Sequence, residues 1–179
     1  DGPPRLLHLR SDGAWAPDFG ASGTGPGRLS QPRAIAVDDA LGRVYVADVG
    51  GQGRLVAYDL QGGYVATVSR GARPVDVQVL PDGTSWLADL SAGGLRHLAA
   101  DGTELARFGH FGPDDEDGFL GLAAVAVEPR GRVWAADQDG TRLRAYELDA
   151  GGRWARVATL DLTRPNFAGC DGRRLQALG

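Results

Sequence analysis

Three aspartates each end a short triplet of the same kind, and their spacing is the first feature of the chain that suggests chemistry. Asp48, Asp89 and Asp137 close VAD, LAD and AAD at intervals of 41 and 48 positions. A carboxylate that follows a strand can accept backbone N–H groups of the next loop, as in an Asx-turn. The alternative is a ring of carboxylates around one opening of the molecule. We favour the structural role, because a catalytic group is needed once and not in every repeat.

Three arginines form a second recurring set. Arg33, Arg73 and Arg164 each lie next to a proline at the start of an apolar segment. Guanidinium groups that converge on one opening can hold a carboxylate or a phosphate through paired hydrogen bonds. The alternative, which we favour, is that they form ion pairs with the recurring aspartates. The six residues together with His110 are the candidate ligand-binding set.

The segment from His110 to Gly118, HFGPDDEDG, is the most polar part of the chain. Its carboxylates are of the type that Ca²⁺ prefers, but the run does not match the twelve-residue EF-hand loop. We expect a solvated loop between repeats. The carboxylates concerned are Asp114, Asp115, Glu116 and Asp117.

Other signatures of metal or nucleophilic sites are missing from the sequence. His8, His97 and His110 are too dispersed to predict a zinc site from spacing. Cys170 is the single cysteine and has no histidine near it in sequence, and no G-x-S-x-G pattern occurs. The sequence therefore predicts no metal, no cofactor and no catalytic residue.

Composition restricts the class of protein. The chain has 179 residues, of which 42% are hydrophobic, and its longest apolar runs are far shorter than the roughly 18 residues that cross a bilayer. The net charge is -4, and all 19 basic residues are arginines scattered among acids. Because there is no basic block, we predict no nucleic-acid partner. Because the apolar runs are short, we predict no membrane segment. The arginine, alanine and glycine content indicates a GC-rich genome.

The two ends and the single cysteine bear on processing and compartment. The chain contains no methionine and starts without an apolar leader, so we expect a processed product or a piece of a longer protein. One cysteine allows no intrachain disulfide, which leaves the compartment open. We lean towards a secreted or periplasmic protein.

A repeat of about 40 to 48 residues organises the sequence. Its units start near Gln31, Arg73 and Leu122. Short apolar runs separated by DG and GG turns predict four strands in each unit, which is the period of a propeller blade. One such sheet cannot bury both faces, so blades must stack on their neighbours. In the first unit the predicted strands are Ala34–Val37, Arg43–Ala47, Leu55–Tyr58 and Tyr64–Val68.

The lead-in and strands of the first unit resemble the NHL repeat. The resemblance is carried by GTGPGRLSQPRAIAVDD and GRVYVADVGGQGRLVAYD, between Gly23 and Asp59. It implies an all-β fold, a β-propeller of four-stranded antiparallel blades, and usually six blades in the ring. The whole of 1–179 is then one domain or fragment, with a half blade at 5–20, blades at 29–70, 71–109 and 119–161, and a half blade at 164–179.

The two half blades leave two architectures open. In the first, the chain closes a four-bladed ring by pairing its last strands with its first. In the second, which we favour, the chain supplies about four blade-equivalents of a longer, six-bladed propeller. Recurring aromatic residues are expected to fill the gaps between blades, with a stacking surface for bases or sugars as the alternative: Tyr45, Trp86, Trp134, Tyr58, Tyr146, Trp15 and Trp154.

Two classes of function follow from the resemblance. The leading hypothesis is a non-enzymatic binding scaffold that presents one loop face to a protein or small-molecule ligand. The alternative is a metal-dependent enzyme of the lyase or lactonase kind, with its site in the central channel. RNA binding, known for some NHL proteins, fits the acidic balance least well.

Overall fold

The described chain is built from β-strands. The computed structural model describes residues 2–112, 118–138 and 141–163, and these contain no helix. In particular, none of the described residues belongs to a helix that could span a membrane. The predicted half blade at 164–179, with Arg164 and Cys170, and the acidic run at 113–117 lie outside the described residues.

A hairpin and three four-stranded antiparallel sheets follow one another along the chain. The hairpin is β1 (Leu6–Leu9) and β2 (Trp15–Phe19). The first sheet is β3 (Pro32–Asp38), β4 (Arg43–Asp48), β5 (Arg54–Asp59) and β6 (Tyr64–Arg70). The second is β7 (Pro74–Val79), β8 (Ser85–Asp89), β9 (Gly94–Leu98) and β10 (Glu104–Phe108).

A short parallel pair leads into the third sheet. It consists of β11 (His110–Phe111) and β12 (Gly118–Phe119). The third sheet is β13 (Leu122–Val127), β14 (Val133–Asp137), β15 (Arg142–Leu148) and β16 (Trp154–Asp161). In all three sheets the strands are neighbours in chain order, as expected for propeller blades.

The hydrophobic core lies between sheets, because each sheet covers a face of the next. Tyr45 and Leu55 of the first sheet pack with Leu87 of the second. Trp86 of the second sheet packs with Val133 and other residues of the third. The first strands lie innermost, with β7 against both β3 and β13. The predicted all-β fold with stacked, four-stranded antiparallel blades is confirmed.

The hairpin packs against the first sheet. Leu6 and Phe19 pack against the buried Val44, Val46 and Tyr58 of the first sheet. The second edge of β1 pairs with no described strand.

Side chains also bond neighbouring blades at their inner strands. Asp76 Oδ2 accepts the Val125 N–H at 2.9 Å, and Gln78 Oε1 accepts the Val127 N–H at 2.6 Å. These amides belong to β13 and the acceptors to β7. The two side chains therefore fix the second and third sheets in register.

The recurring aromatics differ in burial, and Trp134 and Trp154 are half-buried. Tyr45, Trp86, Tyr58 and Tyr146 are buried, in agreement with a role between blades. Trp15 is 65% exposed, so the expectation is wrong for this residue. It lies on β2, and the first sheet covers only one side of that hairpin.

Candidate ligand-binding rim

One edge of the stacked sheets collects the residues that recur in the sequence. Across the first sheet, Pro32 lies opposite Asp48, Asp48 opposite Arg54, and Arg54 opposite Arg70. The corresponding edge of the second sheet pairs Pro74 with Asp89 and Asp89 with Gly94. We call this edge of the three sheets, with the loops that leave it, the rim. The strand register thus places Asp48 and Asp89 on one side of the molecule, together with the segments that carry Arg33 and Arg73.

Asp48 is buried, and its carboxylate holds the segment before β3. It accepts the Ser30 N–H at 3.1 Å and the Gln31 N–H at 2.6 Å. We expected its partners in the loop after β4. The structure corrects this, because the segment before β3 lies beside Asp48 across the sheet. Arg54 on β5 is a further member of this network.

Arg54 is buried as well, and the N–H groups of its guanidinium donate hydrogen bonds within this network. Its Nη2 lies 3.0 Å from Asp48 Oδ2. Its two terminal nitrogens also donate to backbone carbonyls of the glycine-rich lead-in, including Thr24 O at 2.6 Å and Arg28 O at 2.6 Å. Planar guanidinium geometry suits this many acceptors. Arg54 therefore ties residues 23–28 to the sheet.

The aspartate of the second sheet accepts hydrogen bonds both from the segment before the sheet and from the loop after its own strand. Asp89 Oδ1 accepts the Arg73 N–H and the Ser91 N–H, each at 2.8 Å. The Ser91 contact is the predicted Asx-type bond in the loop after the strand. Arg96 Nη1 lies 3.3 Å from Asp89 Oδ2. Asp89 is buried, like Asp48.

The third aspartate lies beside two arginines. Asp137 Oδ2 lies 3.0 Å from Arg142 Nε and 3.9 Å from Arg144 Nη2. Arg144 is 1% exposed, and its guanidinium carbon lies 4.4 Å from the centre of the Phe119 ring. A buried cation in this position is stabilised by both the carboxylate and the ring face. All three predicted acids are therefore buried and held by cations.

The predicted arginines have a different environment. Arg33 and Arg73 are exposed, and their side chains make no hydrogen bond or ion pair with a described residue. Arg33 shares its face of β3 with the exposed Ile35 and Val37. Ion pairing with the recurring aspartates was our favoured alternative, and it is not what these two side chains do in the described chain. Arg164 lies outside the described residues.

His110 lies in β11, close in sequence to the acidic run at 113–117, which is outside the described residues. It is exposed, and its Nδ1 lies 3.3 Å from the carbonyl oxygen of Phe111. Among the described residues, no group of three or more histidine, cysteine, aspartate and glutamate side chains is arranged to hold a metal ion. The carboxylates Asp114 to Asp117 are not described.

The arginines that pair with the acids were missed in the sequence. Arg54 and Arg142 follow Asp48 and Asp137 by six and five positions, so a recurring Asp–Arg spacing was visible in two of the three units. Arg96 breaks the pattern, since Gly94 occupies the position opposite Asp89. A search for opposite charges on adjacent predicted strands would have found the pairs of Asp48 with Arg54 and of Asp137 with Arg142.

The edge opposite the rim is rich in acids that cap hairpin turns. Asp59 Oδ1 accepts the Gln61 and Gly63 N–H groups at 2.9 and 2.8 Å. Hydrogen bonds from Thr84 hold the pKa of Asp82 below its usual range, and Thr103 does the same for the pKa of Asp101. The recurring residues of the two edges therefore differ in charge: turn carboxylates on one, and the guanidinium groups of Arg33 and Arg73 on the rim.

Comparisons with known proteins agree with this architecture. No protein-family model and no curated protein matches the sequence. Among solved structures, virginiamycin B lyase from Staphylococcus aureus aligns with a TM-score of 0.55 and 17% identity, over 75% of this chain and 42% of that one. A nidogen/laminin complex gives 0.60 and 16%, over 86% and 57%.

A third solved structure is a putative 6-phosphogluconolactonase from Bacteroides fragilis. It aligns with a TM-score of 0.57 and 16% identity, over 87% of this chain and 51% of that one. The chain spans about half the length of these structures. At such identities the likeness concerns the fold alone. The neighbours are β-propeller proteins, and the chain has the β-propeller fold.

Proposed function

We propose that this chain is part of a non-enzymatic binding scaffold whose rim receives an anionic ligand or the acidic surface of a protein. One observation carries the proposal. The rim carboxylates Asp48, Asp89 and Asp137 are buried and held by cations, whereas Arg33 and Arg73 are exposed without an ionic partner among the described residues. The rim therefore presents positive charge to solvent.

Supporting arguments come from electrostatics and from the comparisons. Exposed guanidinium groups attract carboxylates and phosphates and form paired hydrogen bonds with them. One structural neighbour was solved as a complex of nidogen with laminin, in which one protein binds another. The number of blades in the ring stays a proposal: six, with this chain supplying about four equivalents.

The test uses a fluorescein-labelled 15-residue polyglutamate as the probe. Anisotropy is measured at low salt for the protein and for the double variant Arg33→Gln/Arg73→Gln. We expect the double variant to bind at least fivefold more weakly, and the wild-type affinity to fall with added salt. The matched control is Arg130→Gln/Arg153→Gln, two exposed arginines in turns at the opposite edge. Equal weakening in both double variants would contradict a rim site.

The enzymatic alternative rests on two neighbours, a virginiamycin B lyase and a putative 6-phosphogluconolactonase. It is tested by metal analysis of the purified protein and by incubation with virginiamycin B and with 6-phosphogluconolactone. Turnover of either compound that is lost on chelation and restored by Ca²⁺ or Zn²⁺ would replace the scaffold by an enzyme.

A further inference from the structure

A cavity of about 340 Å³ opens at the rim of the first sheet. It lies between the β4–β5 loop at residues 50–53, Thr24 of the lead-in, and Arg70 at the end of β6, with Arg54 also in its wall. No aspartate or glutamate lines it. None of the candidate ligand-binding residues predicted from sequence lines this cavity.

The β4–β5 loop has the backbone form of an anion-binding concavity. Gly51 and Gly53 have φ values of +64° and +68°, and the intervening Gln52 has a negative φ. Alternation of this kind turns successive N–H groups towards one point, as in the nests that bind phosphate. In the described chain, the N–H groups of Gly50, Gly51 and Gln52 donate to no protein acceptor. Three backbone donors are thus left for a ligand.

Side chains are kept out of this loop by close packing. A Cβ on Gly53 would lie 1.8 Å from the Ala72 carbonyl oxygen, and one on Gly50 would lie 2.5 Å from the Ser30 side chain. The glycines therefore let the loop lie flat on its neighbours and leave its amides accessible.

The cavity also carries unbalanced positive charge. Arg54 and Arg70 stand directly opposite each other on β5 and β6. Asp48 compensates Arg54, but Arg70 is exposed and has no hydrogen bond or ion pair with a described residue. Two like charges in a cross-strand pair repel each other unless a counter-charge is present. An anion between the loop and Arg70 would supply it.

The third sheet shows the same position with the charge balanced. There Arg142 pairs with Asp137, and the residue opposite Arg142 is Asp161. Asp161 thus occupies in the third sheet the place that Arg70 has in the first. The first sheet differs from its own repeat by exchanging a carboxylate for a guanidinium at the mouth of a cavity.

We propose that residues 50–52 and Arg70 form a binding site for an oxyanion, the phosphate or carboxylate group of a small molecule. The loop amides and the Arg70 guanidinium donate to its oxygens, while Thr24 and Gln52, both exposed at the cavity, contact the rest of the molecule. This site deepens the function proposed above, since it rests on the rim as a binding face and names the ligand group.

The experiment is a titration of the ¹⁵N-labelled chain followed by amide chemical shifts. Inorganic phosphate is the probe in one series and citrate in the other, at constant ionic strength, so that the two sources of oxygen anion are distinguished. We expect saturable shifts of the Gly50, Gly51 and Gln52 amides with at least one probe. Arg70→Gln should weaken this binding about tenfold, and Arg70→Asp, which copies the third sheet, should abolish it.

Arg130→Gln, at the opposite edge, is the control and should bind as the wild type does. Absence of shifts at residues 50–52 with both probes, or equal affinity of wild type and Arg70→Gln, would overturn the proposal. Failure here, with Arg33→Gln/Arg73→Gln still weakening polyglutamate binding, would remove this site and leave the rim function standing. Loss of both effects would remove both.

Discussion

Arg54 lies opposite Asp48 on adjacent strands, and the two form an ion pair of 3.0 Å from which solvent is almost excluded. Removing one partner of a buried pair leaves the other charge uncompensated, which costs about 3 to 5 kcal/mol. We therefore predict that Asp48→Ala lowers the free energy of unfolding by about that amount. Urea unfolding measures it, with the exposed Asp39→Ala as the control. A loss below about 1 kcal/mol would show that the pair does not hold the lead-in.

The turn between β9 and β10 touches the neighbouring blade at Gly102. Its φ is +90°, and an added Cβ would lie 1.8 Å from the Val68 carbonyl oxygen of β6. Gly13 is the matched control: its φ is +81°, and no atom lies within 4 Å of an added Cβ. Both alanine variants carry the cost of positive φ, about 1 kcal/mol. Gly102→Ala should be destabilised by at least 1 kcal/mol more in the same urea assay, and equal losses would contradict this blade contact.

We predict that His97 makes folding sensitive to pH. Its ring stacks on Trp86, with centroids 4.3 Å apart and planes within 3°. Burial lowers the pKa of His97, and the nearby Asp82 opposes this only in part. The unfolded chain therefore takes up a proton more readily than the folded one, so stability is complete above about pH 6.5 and decreases as the pH falls below it.

The measurement is urea unfolding between pH 5 and 8. His97→Gln should flatten the loss of stability on the acid side, whereas the exposed His110→Gln should keep it. An unchanged acid limb in His97→Gln would assign the pH dependence to other groups.

Gln78 joins two blades through the backbone of Val127: its Oε1 accepts the Val127 N–H, and its Nε2 donates to the Val127 carbonyl oxygen at 3.4 Å. In Gln78→Ala the Val127 N–H loses its acceptor at 2.6 Å. An unsatisfied buried donor costs about 1 to 3 kcal/mol, and because this bond is only partly buried we expect a loss of stability of about 1 kcal/mol. Amide hydrogen exchange at Val127 should also become faster. The exposed Gln61→Ala serves as the control, and unchanged exchange at Val127 would show that Gln78 does not protect it.

The strands and their stacking were predictable from sequence because both depend on local patterns. The predicted strand Ala34–Val37 lies within β3, and Arg43–Ala47 lies within β4. Apolar alternation and glycine turns fix such elements without reference to the rest of the chain. The buried positions of Tyr45 and Trp86 followed from the need of each sheet to cover both faces.

The candidate site was less predictable because it depends on contacts between strands and loops. The recurring aspartates were identified, but their arginine partners are on the next strand, and their backbone partners other than Ser91 lie at or before the start of the preceding one. The cavity beside Arg70 needs the φ angles of the β4–β5 loop and the pairing of Arg54 with Arg70, neither of which a single segment specifies. The contrast with Asp161 emerges only when the register is known.

The central claim is that the rim is the binding face of this propeller. Its most direct test maps all backbone amide shifts of the wild-type chain while the 15-residue polyglutamate is added. We predict that the perturbed amides cluster at the rim, around residues 30–33, 48–54 and 70–75. Perturbations confined to the hairpin turns of the opposite edge, or absent at a saturating peptide concentration, would contradict the claim.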